Sequence, residues 1–275
     1  MGVQTTLFHE ESKIKALDEL FASSATYRSS SNFFDLLKFI NKFPSLSPFN
    51  AFLIHMQNSG VEVVMSAKKW NKHGRSVKYK ARPMVILVPF GPVDFVYDIA
   101  DTEGEPIPAT LINPFTTNGS LPDGLWERTV NNIYRDRLVY REDTMHKSSA
   151  GYASSRKVDK FDVVVNSTYD LSTKYSTLVH ELAHVYAGHL GVLPGNWWIK
   201  RTDLDLHSRE IEAESISYLA CSRVGLQTAS DSYLSTYIKQ KEEMPPISLD
   251  VILTVAGYIE QLGQKGFKPK KGKKF

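Results

Sequence analysis

The sequence has one cysteine, Cys221, in 275 residues. That excludes an intramolecular disulfide and any zinc site built from several thiolates, and it suits a reducing cytoplasm. Long apolar runs are also missing. Nothing approaches the eighteen consecutive apolar residues of a membrane span, and MGVQTTLFHEESK at the start lacks a basic stretch followed by an apolar one. A cytoplasmic protein with no membrane partner and no secretory signal is therefore expected. Internal repeats are absent, and the one low-complexity tract is KGFKPKKGKKF at 265–275.

That tract decides how the charge should be read. It holds six lysines and no acid, so the formal net charge of +3 becomes −3 over residues 1–264. A basic tail with little to bury is expected to be disordered. A second basic run, KKWNKHGRSVKYKAR at 68–82, has seven Lys or Arg and no acid. Ordinary solvated faces carry such runs too. Interleaved Trp70 and Tyr79 add a second signal, because aromatic rings stack on bases while cations meet phosphates. Lys68, Lys69, Trp70, Lys72, Arg75, Lys78, Tyr79, Lys80 and Arg82 are accordingly the candidate contacts to single-stranded DNA.

With 42% hydrophobic residues the chain can build substantial cores. Apolar spacing predicts helices over 10–22 and 32–43 and a short one in FNAFLIHMQ, then strands in VEVVMSAKKW, RPMVILVPF and VDFVYDIA. NPFTTNGSLPDG reads as a linker. Beyond it come a helix over 125–141, a polar stretch DTMHKSSAGYASSRK, and a strand FDVVVN placed as a substrate edge. The chain ends in helices around HELAH, REIEAES, DSYLSTYIKQ and LDVILTVAGYIEQLG. The fold class expected is α+β, with a small N-terminal α+β domain at 1–117, a mainly helical domain with a short sheet at 118–264, and the tail at 265–275.

HELAH at 180–184 carries the chemistry. Histidines four apart share one helical face, so His180 and His184 can turn ring nitrogens toward one ion, and Glu181 beside it can take a proton from water as general base. Leu171, Tyr175, Leu178, Val179, Leu182, Tyr186 and Leu190 supply helical periodicity, with Ser172 as candidate N-cap and Gly191 as stop. Catalytic zinc usually takes three protein ligands. Ala187 and Leu190 stand where an extended HExxHxxGxxH needs Gly and His, and Gly188 and His189 miss that register by one residue. A glutamate from another helix is the better candidate. In REIEAES, Glu210 and Glu214 share a face and Glu212 points away. The expected assignment is Glu210 as third ligand to Zn2+ and Glu214 as hydrogen-bond partner of a ligating histidine, with the two exchanged, or Glu212 substituting, as alternatives. His207 is a further candidate ligand or electrophile.

Five stretches carry a family resemblance: SPFNAFLIHMQ (47–57), KKWNKHGRSVK (68–78), VYDIADTEGEPIP (96–108), YSTLVHELAHVYAGH (175–189) and REIEAESISYLAC (209–221). In this order they resemble the ArdC-type antirestriction proteins, whose metallopeptidase half is related to the ImmA/IrrE family. The chain departs from that pattern at YKARP, 79–83. The resemblance implies a single-stranded DNA-binding domain followed by a zincin-like metallopeptidase domain, used by mobile genetic elements against restriction. It also supports the segment from Glu210 to Glu214 as source of the third ligand. The alternative function is a soluble zinc endopeptidase acting on a protein partner such as a repressor or restriction subunit, with the basic run as recruiting surface.

Overall fold

The computed structural model describes residues 29–88, 93–107, 119–146, 149–156 and 160–270. The expected helix at 10–22, the first half of the expected linker and the last five tail residues lie outside them. The architecture is α+β.

Helices α1 (Ser30–Asn41) and α2 (Pro48–Gln57) come first. In α2, Ser47 Oγ accepts the Asn50 N–H and Pro48 occupies the first turn, where its missing N–H costs nothing. Strand β1 (Val64–Met65) is shorter than VEVVMSAKKW suggested, because Ala67–Lys72 turn into helix α3. A helical turn lets Trp70 point inward, fully buried, with its indole N–H donating to Tyr97 O. Strands β2 (Arg75–Val77), β3 (Met84–Ile86), β4 (Asp94–Asp98) and β5 (Thr102–Gly104) complete the first half. They form an antiparallel sheet of order β1-β4-β3 and a separate β2-β5 pair.

The outer edge of β3 meets α2 through side chains. Asn50 exchanges two hydrogen bonds with the Leu87 backbone, and Gln57 two with that of Val85, all between 2.7 and 2.9 Å. One helix thus supplies the ladder that a neighbouring strand would otherwise provide.

Helix α4 (Leu125–Ile133) ends earlier than the periodicity suggested. A 3-10 turn at Tyr134–Asp136 and the left-handed Arg137 (φ 65°) redirect the chain into strand β6 (Leu138–Asp143). Strands β7 (Gly151–Arg156) and β8 (Lys160–Asn166) complete a sheet of order β6-β8-β7, parallel on one side and antiparallel on the other. FDVVVN is therefore the covered centre, buried from Phe161 to Asn166, and not the edge. Strand β7 is one of the two edges, β6 being the other, and it looked like a polar loop because its extended state is imposed by hydrogen bonds from β8 and not by apolar alternation.

Four helices close the fold: α5 (Leu171–Tyr186), α6 (Leu206–Ser222), α7 (Ala229–Gln240) and α8 (Leu249–Leu262). Central α6 has neighbours in α5, α7, α8 and α1, and eleven of its seventeen residues are buried. The hydrophobic core runs without a break from Phe33 in α1 to Phe267 after α8. Buried Arg223 reinforces it by donating to the carbonyls of Ile40, Phe43 and Leu46 while pairing with Glu260. The core thus crosses the division drawn at residue 117. Among the described residues no helix is long and apolar enough to cross a membrane.

Candidate metal centre

The site forms where α5 lies against α6. Asp170, not Ser172, caps α5, its carboxylate accepting the N–H groups of Ser172 and Thr173. The helix presses Tyr175, Leu178, Val179, Leu182 and Val185 into the core and so turns His180 and His184 toward α6. It ends at Tyr186, before Gly191. Gly188 makes the turn at φ +76°, and a Cβ there would stand 1.9 Å from Ile199 O, so only glycine fits.

Three ligand atoms converge. Nε2 of His180 lies 3.2 Å from Nε2 of His184, and the Glu210 carboxylate oxygens lie 3.7 Å from the first and 3.6 Å from the second. His180, His184 and Glu210 are the one group of this kind among the described residues. Zinc bonds of about 2.0–2.1 Å in tetrahedral geometry hold ligand atoms about 3.3–3.4 Å apart, so the donors stand close to bonding separation. Glu214, one turn along α6, places a carboxylate oxygen 3.6 Å from Nδ1 of His180.

Glu181 is half-buried beside them, near edge strand β7, where the Ala153 backbone favours its ionised form. Burial pushes its carboxyl above the ordinary range, against the pull of the two histidines. Glu210 is held below its usual value, first by its hydrogen bond with His184.

Sequence reasoning missed His189, Arg201 and Tyr233. Nδ1 of His189 is 3.0 Å from Nδ1 of His184, and its Nε2 is 2.9 Å from Glu212. Glu212 also receives two 2.6 Å bonds from Arg201 and one from the Ser248 N–H. Burial alone would raise the Glu212 carboxyl, but His189 and Arg201 outweigh it and hold it below its ordinary value. Burial lowers the His189 imidazole. A carboxylate engaged by His189, Arg201 and the Ser248 N–H, and standing outside the His180–His184–Glu210 group, has no oxygen free to serve as the third ligand. Tyr233 on α7 is partly exposed and close enough to Glu210 and Glu214 for their charges to raise its phenol, after burial. His207 is exposed and rests on the Tyr237 ring, outside the ligand cluster. The spacing of α7 from REIEAES gives no signal that could have found Tyr233, whereas the register slip at His189 was visible in the sequence.

No protein-family model matches the chain, and no curated protein matches it. Solved structures do. The chain is similar to ArdC. The metal-free structure of the antirestriction protein ArdC from plasmid R388 matches with a TM-score of 0.38 and 13% identity, over 79% of this chain and 82% of that one. The Mn(II)-bound structure of the same protein matches with a TM-score of 0.39 and 13% identity, over 84% of this chain and 96% of that one. At such values each residue's role comes from the geometry of the present chain.

The basic run is divided by the fold. Trp70 is unavailable to a base because its side chain is fully buried, with the Arg75 guanidinium lying over the ring. Arg75 gives its guanidinium to the carbonyls of Thr102, Gly104 and Glu105 and to Thr102 Oγ1, and Lys78 Nζ donates to Ala100 O. These three build the β2-β5 region. Lys68, Lys69, Lys72, Lys80 and Arg82 are exposed, and Tyr79 is 92% exposed with the Lys80 ammonium 5.5 Å from its ring centre.

Proposed function

We propose that this chain is an antirestriction-type protein that carries a metallopeptidase-like zinc centre and binds single-stranded DNA. The observation that carries the metal reading is the convergence of His180 Nε2, His184 Nε2 and the Glu210 carboxylate within 3.2–3.7 Å. Two imidazoles and one carboxylate are a donor set suited to zinc, with a fourth position left open. A bound ion of this kind polarises a carbonyl and makes water more acidic.

The remaining chemistry belongs to the chain. Glu181 sits next to both histidines as proton acceptor, and its raised carboxyl is matched to taking a proton and passing it on. Glu214 orients His180 through Nδ1. Tyr233, within electrostatic reach of Glu210 and Glu214, is the phenol assigned to donate to an oxygen that gains charge. The alternative, a zinc endopeptidase with a protein partner as substrate, uses the same centre. Strand β7 favours it, since an edge strand beside Glu181 can align an extended peptide.

For DNA, the exposed lysines Lys68, Lys69, Lys72 and Lys80, with Arg82 and the projecting Tyr79, support phosphate contact and base stacking. Two measurements test the function. Protein dialysed against zinc, and separately against Mn2+, should retain one ion per chain and lose it on His180→Ala; failure to retain either overturns the metal reading. Labelled single-stranded and duplex oligonucleotides titrated across a salt series should show preferred single-strand binding that weakens with a slope of about −0.7 per phosphate contact. No binding at low salt overturns the DNA reading and leaves the peptidase.

A further inference from the structure

His184 faces the ion site with one ring nitrogen and the protein interior with the other. The interior partner is His189, whose side chain is fully buried. It reaches His184 because the chain reverses at left-handed Gly188, after which the His189 N–H donates to His184 O at 3.1 Å and the imidazole folds back over the ring. The same turn docks the next layer: Arg201 N–H donates to Gly188 O and its guanidinium to Ala187 O.

Proton positions along this line follow from which groups can only donate. Arginine is always protonated and the Ser248 N–H has no alternative role, so the Glu212 oxygens accept throughout. His189 Nε2, 2.9 Å from Glu212, must then carry a hydrogen. A neutral imidazole protonated at Nε2 is bare at Nδ1, where it can only accept. The 3.0 Å contact between the two Nδ1 atoms is therefore a bond donated by His184. With its hydrogen on Nδ1, His184 presents a lone pair at Nε2.

We propose that His189, held by Glu212 and Arg201, is a positioning residue that fixes the tautomer and ring orientation of His184 and so aims its Nε2 lone pair at the ion. The inference rests on the metal-centre reading above and extends it to residues that touch neither ion nor substrate. The chain of contacts joins α5, the turn after it, the segment before α6, α6 itself and the start of α8, so ligand orientation is tied to the packing of the whole C-terminal half.

The test is a long-range 1H–15N correlation spectrum of the histidine rings in the full metal-stripped chain at neutral pH, with zinc affinity measured beside it by chelator competition. Expected are His184 protonated at Nδ1 and His189 at Nε2. His189→Phe should remove the Nδ1 preference of His184 and weaken zinc by about 10–100-fold. His189→Gln, whose amide oxygen can accept the same bond, should recover most of that loss, which a purely space-filling role would not do. Wild-type His184 with Nδ1 bare overturns the relay without recourse to any variant, as does unchanged zinc affinity in His189→Phe. Protein that takes up no zinc yet shows the Nδ1-protonated His184 supports the relay and removes the metal reading alone.

Discussion

Nε2 of His180 and Nε2 of His184 face each other across 3.2 Å. With His189 bonded to its Nδ1, His184 presents a lone pair at Nε2, and Glu210 adds negative charge 3.6–3.7 Å from both Nε2 atoms. Electron-rich atoms crowded this closely repel until a cation lies among them.

Zinc should therefore stabilise the fold. At a free concentration 100 times its Kd the gain is about 2.7 kcal/mol, a rise in Tm of roughly 5–10 °C for a chain of this size. Differential scanning calorimetry with and without zinc checks it. A rise of equal size in His180→Ala would show that the ion binds elsewhere.

The three glutamates of α6 should separate by phenotype. Glu210→Ala abolishes stoichiometric zinc, and Glu214→Ala weakens it by about 10–100-fold. Glu212→Ala strips the partner from buried Arg201 and lowers stability by about 3–5 kcal/mol. Chelator competition and urea unfolding distinguish them, and zinc retained by Glu210→Ala would pass the ligand role to another residue.

Glu181→Gln keeps the volume and the Ala153 contact region but cannot take a proton. It should hold zinc normally and lose about 10^2 to 10^4-fold in any hydrolysis the wild type performs. A peptide-library digestion compared between the two proteins reads this out, and full activity in the variant would remove Glu181 as base.

On the basic face, replacing Lys68, Lys69, Lys72 and Tyr79 together by Ala should weaken single-strand binding and flatten its salt dependence. Trp70→Ala should instead destabilise the fold by about 3–5 kcal/mol through the cavity it leaves. Fluorescence anisotropy and thermal melting, run on both variants, tell a contact residue from a core residue.

Asp170 links the site to pH through its helix. Hydrogen bonds from Thr173 and Ser172 hold its carboxyl below the usual 3.8, so the folded state favours the ionised cap. That contribution is present above pH 3.8 and is lost as pH falls through the lower folded value. Asp170→Ala should cost about 1 kcal/mol at pH 7 and progressively less below pH 4. A gap that stays constant across acid unfolding curves would mean that the cap acts without its charge.

What the sequence made legible is periodic. Four-residue spacing alone puts His180 with His184 and Glu210 with Glu214 on single faces, and the apolar stripes of α1, α2, α5 and α8 follow the same rule. What it concealed depends on turns and on partners distant in the chain. His189 reaches His184 only through the left-handed turn at Gly188, which a helix template reads as a register error. Strand β7 is extended because β8 pairs with it, and Trp70 is interior because Tyr97 offers it a carbonyl. Composition places Trp70 and Tyr79 in one basic run, while burial separates them completely.

The amides of Asn50 and Gln57 occupy the free margin of β3 with four hydrogen bonds. A bare strand margin is a template on which another chain can add itself, and proteins commonly guard it with charge, proline or a bulge. Here the guard is a helix already anchored in the core, so self-association through the β3 margin requires α2 to leave first. Strand addition at this margin is thereby coupled to release of α2 from the core, and Asn50→Leu with Gln57→Leu would uncouple them.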